Sequence, residues 1–114
     1  MTTDSYLTAS FKSLSEKAHK RLDEEKKKPI RYLVGTSDAF CTQMDISENG
    51  NLLGFRICNF DSATILDDYE QAVFLCQRMN AGLASSCRYK VYTTEKILTL
   101  QAAAYDSALE DLKG

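Results

Sequence analysis

The chain has 114 residues, of which 44% are hydrophobic, and a net charge of −2, values that suit one globular domain with a modest core. Such a balance gives no general attraction to nucleic acid or anionic lipid, and no run of roughly eighteen apolar residues provides a membrane span. Met1-Thr2-Thr3-Asp4-Ser5 lacks the basic-then-apolar pattern of a secretory signal, so a reducing, cytoplasmic location is expected.

Charge is unevenly spread. Residues 1–30 hold seven basic and five acidic side chains, whereas residues 31–114 hold seven basic and eleven acidic. An N-terminal segment partly separate from the rest of the 1–114 domain is therefore expected. Residues 4–28 read as a helix, because Leu7, Phe11, Leu14, Ala18 and Leu22 recur at helical spacing. Asp4 or Ser5 is the expected N-cap. Lys26-Lys27-Lys28 suits the negative end of the helix dipole, and Pro29 stops the helix. Asp23–Lys27 and Glu24–Lys28 are the expected acid–base pairs.

The segment 30–93 reads as a β-β-β-α-β core. Ile30–Val34 is a short strand ended by Gly35. Two alternating strands then flank Asn49-Gly50, with Phe40, Met44 and Ile46 on one face and Leu53, Phe55 and Ile57 on the matching face. A two-residue type I′ turn would set Ile46 against Leu53, Met44 against Phe55 and Thr42 against Ile57. A three-residue bulged turn would slip the pairing by one and turn apolar residues away from the core, so the pattern argues against it. A four-residue loop preserves the pairing and stays open.

Asp67-Asp68-Tyr69-Glu70 then signals a helix start, an N-cap acid with another acid three residues on. Tyr69, Ala72, Val73, Cys76 and Met79 form its apolar face, and Asn80-Ala81-Gly82 closes it. Arg88–Thr93 alternates as a half-buried strand, of open direction. Residues 95–112 form a final helix with Leu98, Gln101, Tyr105, Ala108 and Leu112 along one side. The expected fold is α+β: a small antiparallel sheet, element order α-β-β-β-α-β-α, with helices packed on the sheet.

No catalytic constellation stands out. Cys41, Cys58, Cys76 and Cys87 contain no C-x-x-C pair and lie far from the single histidine, His19, so neither a metal site nor any cofactor is expected. The hairpin register sets Cys41 opposite Cys58 on the face away from the core, as a non-hydrogen-bonded pair about 4.5 Å apart between Cα atoms. That spacing admits a disulfide, whereas a reducing compartment favours free thiols covered by a helix or another subunit. Cys76 reads as core. His19 sits among charged residues without a positioned partner and reads as solvated surface. Asp67 and Asp68 read as helix-capping acids. Asp45-Ile46-Ser47-Glu48-Asn49-Gly50 does not match a calcium loop.

The unexplained residues are apolar. Phe74 is rotated off the helix's apolar stripe and is expected to face outward. Leu52 and Phe60 fall on the non-core parity of their strand, a face for a covering helix or a partner.

Asp67-Asp68-Tyr69-Glu70-Gln71-Ala72, the Cys-x-x-Met-Asn-Ala-Gly ending of that helix and Arg88-Tyr89-Lys90-Val91-Tyr92 resemble small accessory proteins encoded by bacteriophages and mobile elements. The resemblance spans roughly residues 31–97 in layout and includes neither terminal helix. It implies no catalytic residues. It implies a protein that binds and blocks or redirects a host protein, including components of antiviral defence.

A non-enzymatic interaction protein with a macromolecular protein partner is therefore expected. Its contact residues would be Lys20 and Arg21 on the first helix, or Glu70, Phe74 and Arg78 on the middle helix. The alternative is a homodimeric chaperone or small ligand-binding module, joined through the N-terminal stripe or a sheet edge. An enzyme or redox protein would instead show a low-pKa, reactive cysteine.

Overall fold

The computed structural model describes residues 3–37, 40–81 and 89–113. It is α+β, with three helices, a four-stranded antiparallel sheet and the expected order α-β-β-β-α-β-α. The elements are α1 (Thr3–Lys26), β1 (Tyr32–Gly35), β2 (Cys41–Ile46), β3 (Leu52–Cys58), α2 (Tyr69–Asn80), β4 (Lys90–Thr93) and α3 (Thr94–Lys113). Two compact units result, one made by α1 and α3, the other by the segment Ile30–Thr94.

In the sheet unit the strand order is β3-β2-β1-β4. The fourth strand, whose direction the sequence left open, runs antiparallel to β1, with Tyr32 opposite Thr93 and Val34 opposite Val91. Leu33 and Val34 are both fully buried, as residues on both faces of an interior strand should be. Val34 joins Met44, Leu66, Ala72, Leu75, Cys76 and Met79 in the core under α2, which packs on β1 and β4. Leu75, absent from the expected apolar stripe, is among the most deeply buried side chains, whereas Tyr69 is exposed.

Strands β1 and β2 pair only at Gly35–Cys41. A β-carbon on Gly35 would lie 2.6 Å from the Phe40 carbonyl oxygen, so only glycine allows this approach. Beyond that point the strands diverge, and the segment after a single 3-10 turn (Phe60–Ser62) fills the gap. Leu66 exchanges both backbone hydrogen bonds with Tyr32 (2.7 and 2.8 Å). The Thr64 N–H donates to the Thr42 carbonyl (3.0 Å), and Thr64 Oγ1 accepts from the Met44 N–H (2.8 Å). What reads in sequence as a plain connection is a wedge that satisfies the inner edges of two strands.

The hairpin corrects the expected turn and preserves most of its register. Gly50 has φ 83°, its N–H donates to the Ser47 carbonyl, and the Ser47 N–H donates to the Asn51 carbonyl (both 2.9 Å). This is a three-residue loop ending in a left-handed glycine, the bulged form the pattern argued against. Ile46 consequently faces Leu52, and a second irregularity between Asp45 and Ile46 absorbs Leu53 as an extra residue. From Asp45–Gly54 onward the expected pairs return, including Met44–Phe55, Thr42–Ile57 and Cys41–Cys58. The two bulges compensate. Leu52 therefore packs on the core, while Leu53 is 72% exposed.

Because Thr42 and Met44 direct their backbone groups toward Thr64, Cys41, Gln43 and Asp45 direct theirs toward β3. Cys41–Cys58 is thus a hydrogen-bonded pair, about 5.5 Å between Cα atoms, and not the closer type expected. On β3, Gly54, Arg56 and Cys58 turn their backbone groups toward β2. Phe55 and Ile57 turn theirs outward.

Asn80 closes α2 with its side chain. Its amide oxygen accepts from the Tyr89 N–H (2.9 Å) and its amide nitrogen donates to the Tyr89 carbonyl (3.0 Å), imitating a strand partner. The Cys76 thiol donates to the same carbonyl (3.2 Å). At the other end the capping acid is Asp68, the second of the two acids expected to cap; its Oδ1 accepts from the Glu70 N–H (3.0 Å). Gly82, Cys87 and Arg88 lie outside the described residues.

In the helical unit, α1 is already helical at Thr3, so Asp4 and Ser5 lie within it and do not cap it. Its last turn tightens, with the Lys28 N–H donating to the Glu25 carbonyl (3.0 Å), before Pro29 removes the next donor. The buried face of α1 is Ser15, Ala18, Leu22 and Glu25, whereas Leu7 and Leu14 of the expected stripe are exposed. Lys28 Nζ lies 3.9 Å from Glu25 Oε2, replacing the expected Glu24–Lys28 pair. On α3 the buried residues are Thr94, Ile97, Leu98 and Ala102. Ser15 stands eleven residues before the end of α1, and Asp106, its hydrogen-bond partner, twelve residues after the start of α3. Because the Thr94 N–H also bonds the Arg31 carbonyl (3.0 Å), the two helices run antiparallel.

Candidate interaction surfaces

Helix α2 presents one face to the core and another outward. Ala72, Leu75, Cys76 and Met79 are buried, whereas Glu70, Phe74 and Arg78 are exposed. The latter three are spaced by four residues and form one row. Phe74 is 42% exposed, and the Arg78 guanidinium carbon stands 6.0 Å from its ring centroid. A cation over an aromatic face at an exposed site contributes about 0.5–1 kcal/mol, enough to bias the ring toward a displayed orientation. At the start of the helix, Tyr69 packs edge-on against Tyr32, with centroids 5.3 Å apart. Lys20 and Arg21, the other expected contact residues, are exposed on α1 in the helical unit. The structure thus brings Glu70, Phe74 and Arg78 together as a set.

A second surface was not legible as such. Strand β3 is an edge of the sheet, and the face expected to be its core side is largely exposed: Ile57 54%, Phe55 39% and, on the adjoining segment, Phe40 57%. Helix α2 packs on β1 and β4, and only Met44 of the expected hairpin face becomes buried. Phe55 keeps one contact, an edge-on packing with Tyr89 at 5.4 Å. Gln43, Asp45, Phe55 and Arg56 also line a recess of about 280 Å³. Gly54 contributes no side chain there, and nothing lies within 4 Å of where its β-carbon would be. The Arg56 side chain donates to Gln43 Oε1 (2.5 Å).

In the helical unit, Ser15, His19 and Asp106 converge. The Ser15 hydroxyl donates to Asp106 Oδ1 (2.6 Å), and His19 Nε2 lies 2.9 Å from Asp106 Oδ2. The expectation that His19 lacks a positioned partner is therefore corrected, although half of its side chain remains exposed. These residue types suggest a nucleophile triad, but the connectivity differs. The carboxylate occupies the middle, and serine bonds to it instead of to the imidazole. The Ser15 hydrogen bond first, and His19 second, hold the Asp106 carboxyl below its ordinary range, making it a weak base toward serine. The arrangement fastens two helices. Ser15 and His19 were visible as neighbours one turn apart, whereas Asp106 stands far away in sequence and gave no signal.

Among the described residues, Cys41, Cys58 and Cys76 form no disulfide. Burial pushes the Cys58 thiol up, partly offset by the Arg56 guanidinium, a setting that keeps it protonated and slow to react. Among the described residues no group of three or more His, Cys, Asp or Glu side chains could hold a metal ion, and no helix is long and apolar enough to cross a membrane. No protein family, curated protein or solved structure matches this chain.

Proposed function

We propose that this chain is a non-enzymatic protein of bacteriophage or mobile-element type that acts in the cytoplasm, binding a host protein and inhibiting or modulating it. A component of antiviral defence is the favoured target class. The observation that carries this reading is the outward row Glu70, Phe74 and Arg78 on α2, in which a large aromatic ring is displayed beneath a guanidinium group. Aromatic and arginine side chains supply most of the binding energy at protein interfaces, and a helix backed by a packed core presents them without added ordering cost. Lys20 and Arg21 on α1 would steer an acidic partner toward the chain.

Phe74→Asp and Arg78→Glu test it directly. The variants and the parent chain are immobilised at equal density and challenged with purified defence proteins from a bacterial host. The expected result is saturable binding of one protein by the parent, lost in both variants while their circular dichroism is unchanged. Binding of equal strength by parent and variants would reject α2 as the contact. Complete absence of a saturable partner, together with no protection of infecting phage when the chain is expressed in defended cells, would reject the function.

A further inference from the structure

We propose that strand β3 pairs antiparallel with β3 of a second copy of this chain, about a two-fold axis at Phe55, joining the two sheets into one of eight strands. The surface is distinct from α2, so the proposal stands independently of the target assigned above.

Backbone geometry comes first. β3 is the sheet edge, and Phe55 and Ile57 direct their N–H and carbonyl groups away from β2. An edge of unpaired backbone groups beside exposed apolar side chains is a template for another strand. β4, at the other edge, is four residues long with an exposed lysine, Lys90, a combination that discourages pairing.

Register then follows from parity and charge. Antiparallel pairing must bring outward-directed groups to outward-directed groups, which restricts the centre of symmetry. Centring on Arg56 would set two guanidinium groups directly opposite each other, a destabilising arrangement. Centring on Phe55 sets Phe55 against its own copy, Leu53 against Ile57, and Arg56 against Gly54. Aromatic meets aromatic and aliphatic meets aliphatic, at positions that are 39%, 72% and 54% exposed in the single chain.

The opposite face supplies the charge complement. There the row across the joined sheets would read Gln43, Arg56, then Gly54 and Asp45 of the second copy, since Gln43 pairs with Arg56 and Asp45 with Gly54 within each chain. Arg56 and the second copy's Asp45 are then two strand spacings apart, about 10 Å between backbones. Released from Gln43 Oε1 and extended away from β2, Arg56 spans that distance together with the second copy's Asp45, because the intervening residue has no side chain and Gly54 has open space above it. Asp45 is exposed and has no side-chain hydrogen bond among the described residues. Two-fold symmetry makes the ion pair twice. The bulge at Leu53 confines firm pairing to the short stretch around Phe55, so the dimer is weak and concentration-dependent.

Sedimentation equilibrium of the full chain over a wide concentration range tests this. Reversible monomer–dimer association is expected, with Phe55 and Ile57 amides gaining hydrogen-exchange protection as concentration rises. Arg56→Glu should weaken the dimer roughly tenfold or more by opposing Asp45, and adding Asp45→Arg should restore it. Circular dichroism and thermal melting check that each variant is folded. A monomer at every concentration would overturn the proposal, as would a dimer indifferent to Arg56→Glu. A dimer weakened by Arg56→Glu but not recovered in the double variant would overturn this register. Protection of β3 amides only on adding a different protein would assign the edge to another strand and also overturn it.

Discussion

The two units of this chain are held together by different physics. In the segment Ile30–Thr94, a ladder of backbone bonds encloses Val34, Met44, Leu66, Leu75 and Met79, and irregular segments are sealed by side chains that imitate backbone, Thr64 between two strands and Asn80 on Tyr89. The buried faces of α1 and α3 carry smaller and more polar side chains. Alanines at 18 and 102 and polar groups at 15 and 25 take up much of the buried face, with a Ser15–Asp106–His19 cluster at its margin. Alanine and polar residues bury little apolar area, so the helical pair gains less per residue from the hydrophobic effect. The sheet unit is therefore expected to unfold the more cooperatively, and the helix pair to respond more to solution conditions.

Substitutions should divide along the same line. Leu75→Ala, at a fully buried position, is expected to cost about 2–5 kcal/mol, read as a lowered midpoint in urea denaturation followed by the sheet signal. Gly35→Ala should cost about 1–3 kcal/mol, because the added methyl meets the Phe40 carbonyl at 2.6 Å; the amides of Thr36 and Cys41 should lose hydrogen-exchange protection first. Asn80→Ala leaves the Tyr89 N–H without its partner and is expected to cost about 1–2 kcal/mol, while Asn80→Asp, which keeps the acceptor and loses the donor, should fall between it and the parent. If Leu75→Ala and Asn80→Ala left the sheet's unfolding midpoint in place, the contrast would collapse.

The smallest effect belongs to the helix pair and is set by pH. Asp106 has a folded-state pKa below its ordinary value, first through Ser15 and then through His19. A carboxyl depressed by folding contributes stability that is fully present above its unfolded pKa, near 3.8, and is lost as pH falls through the folded value. Exchange protection around Ser15 and Asp106 should therefore decline in acid before that of β1 and β4. Asp106→Asn should flatten this dependence; an unchanged acid profile in that variant would remove the carboxylate from the account.

Local pattern and long-range placement were unequally legible. The order of elements, the outward rotation of Phe74 and the pairs from Asp45–Gly54 to Cys41–Cys58 all follow from periodicities of two and 3.6 residues, which act over a few neighbours. The bulge at Leu53 escaped because it cancels another one at Gly50, and the apolar alternation records only their sum. Phe55 and Ile57 read as core from sequence because alternation states only that two residues share a face. It does not state which strand ends at the sheet edge, a property of the order β3-β2-β1-β4. Asp106 was unreadable for the same reason: its partners Ser15 and His19 are distant in the chain. For the candidate surfaces, Glu70, Phe74 and Arg78 were therefore readable from one helix, whereas the β3 edge required the sheet.

The Asn80 amide on Tyr89 ties the last residue of α2 to the residue that precedes β4. Helix and strand therefore share a fate: an opening that frays the last turn of α2 also releases Tyr89, so the end of α2 and the start of β4 should exchange their amides together, as one unit.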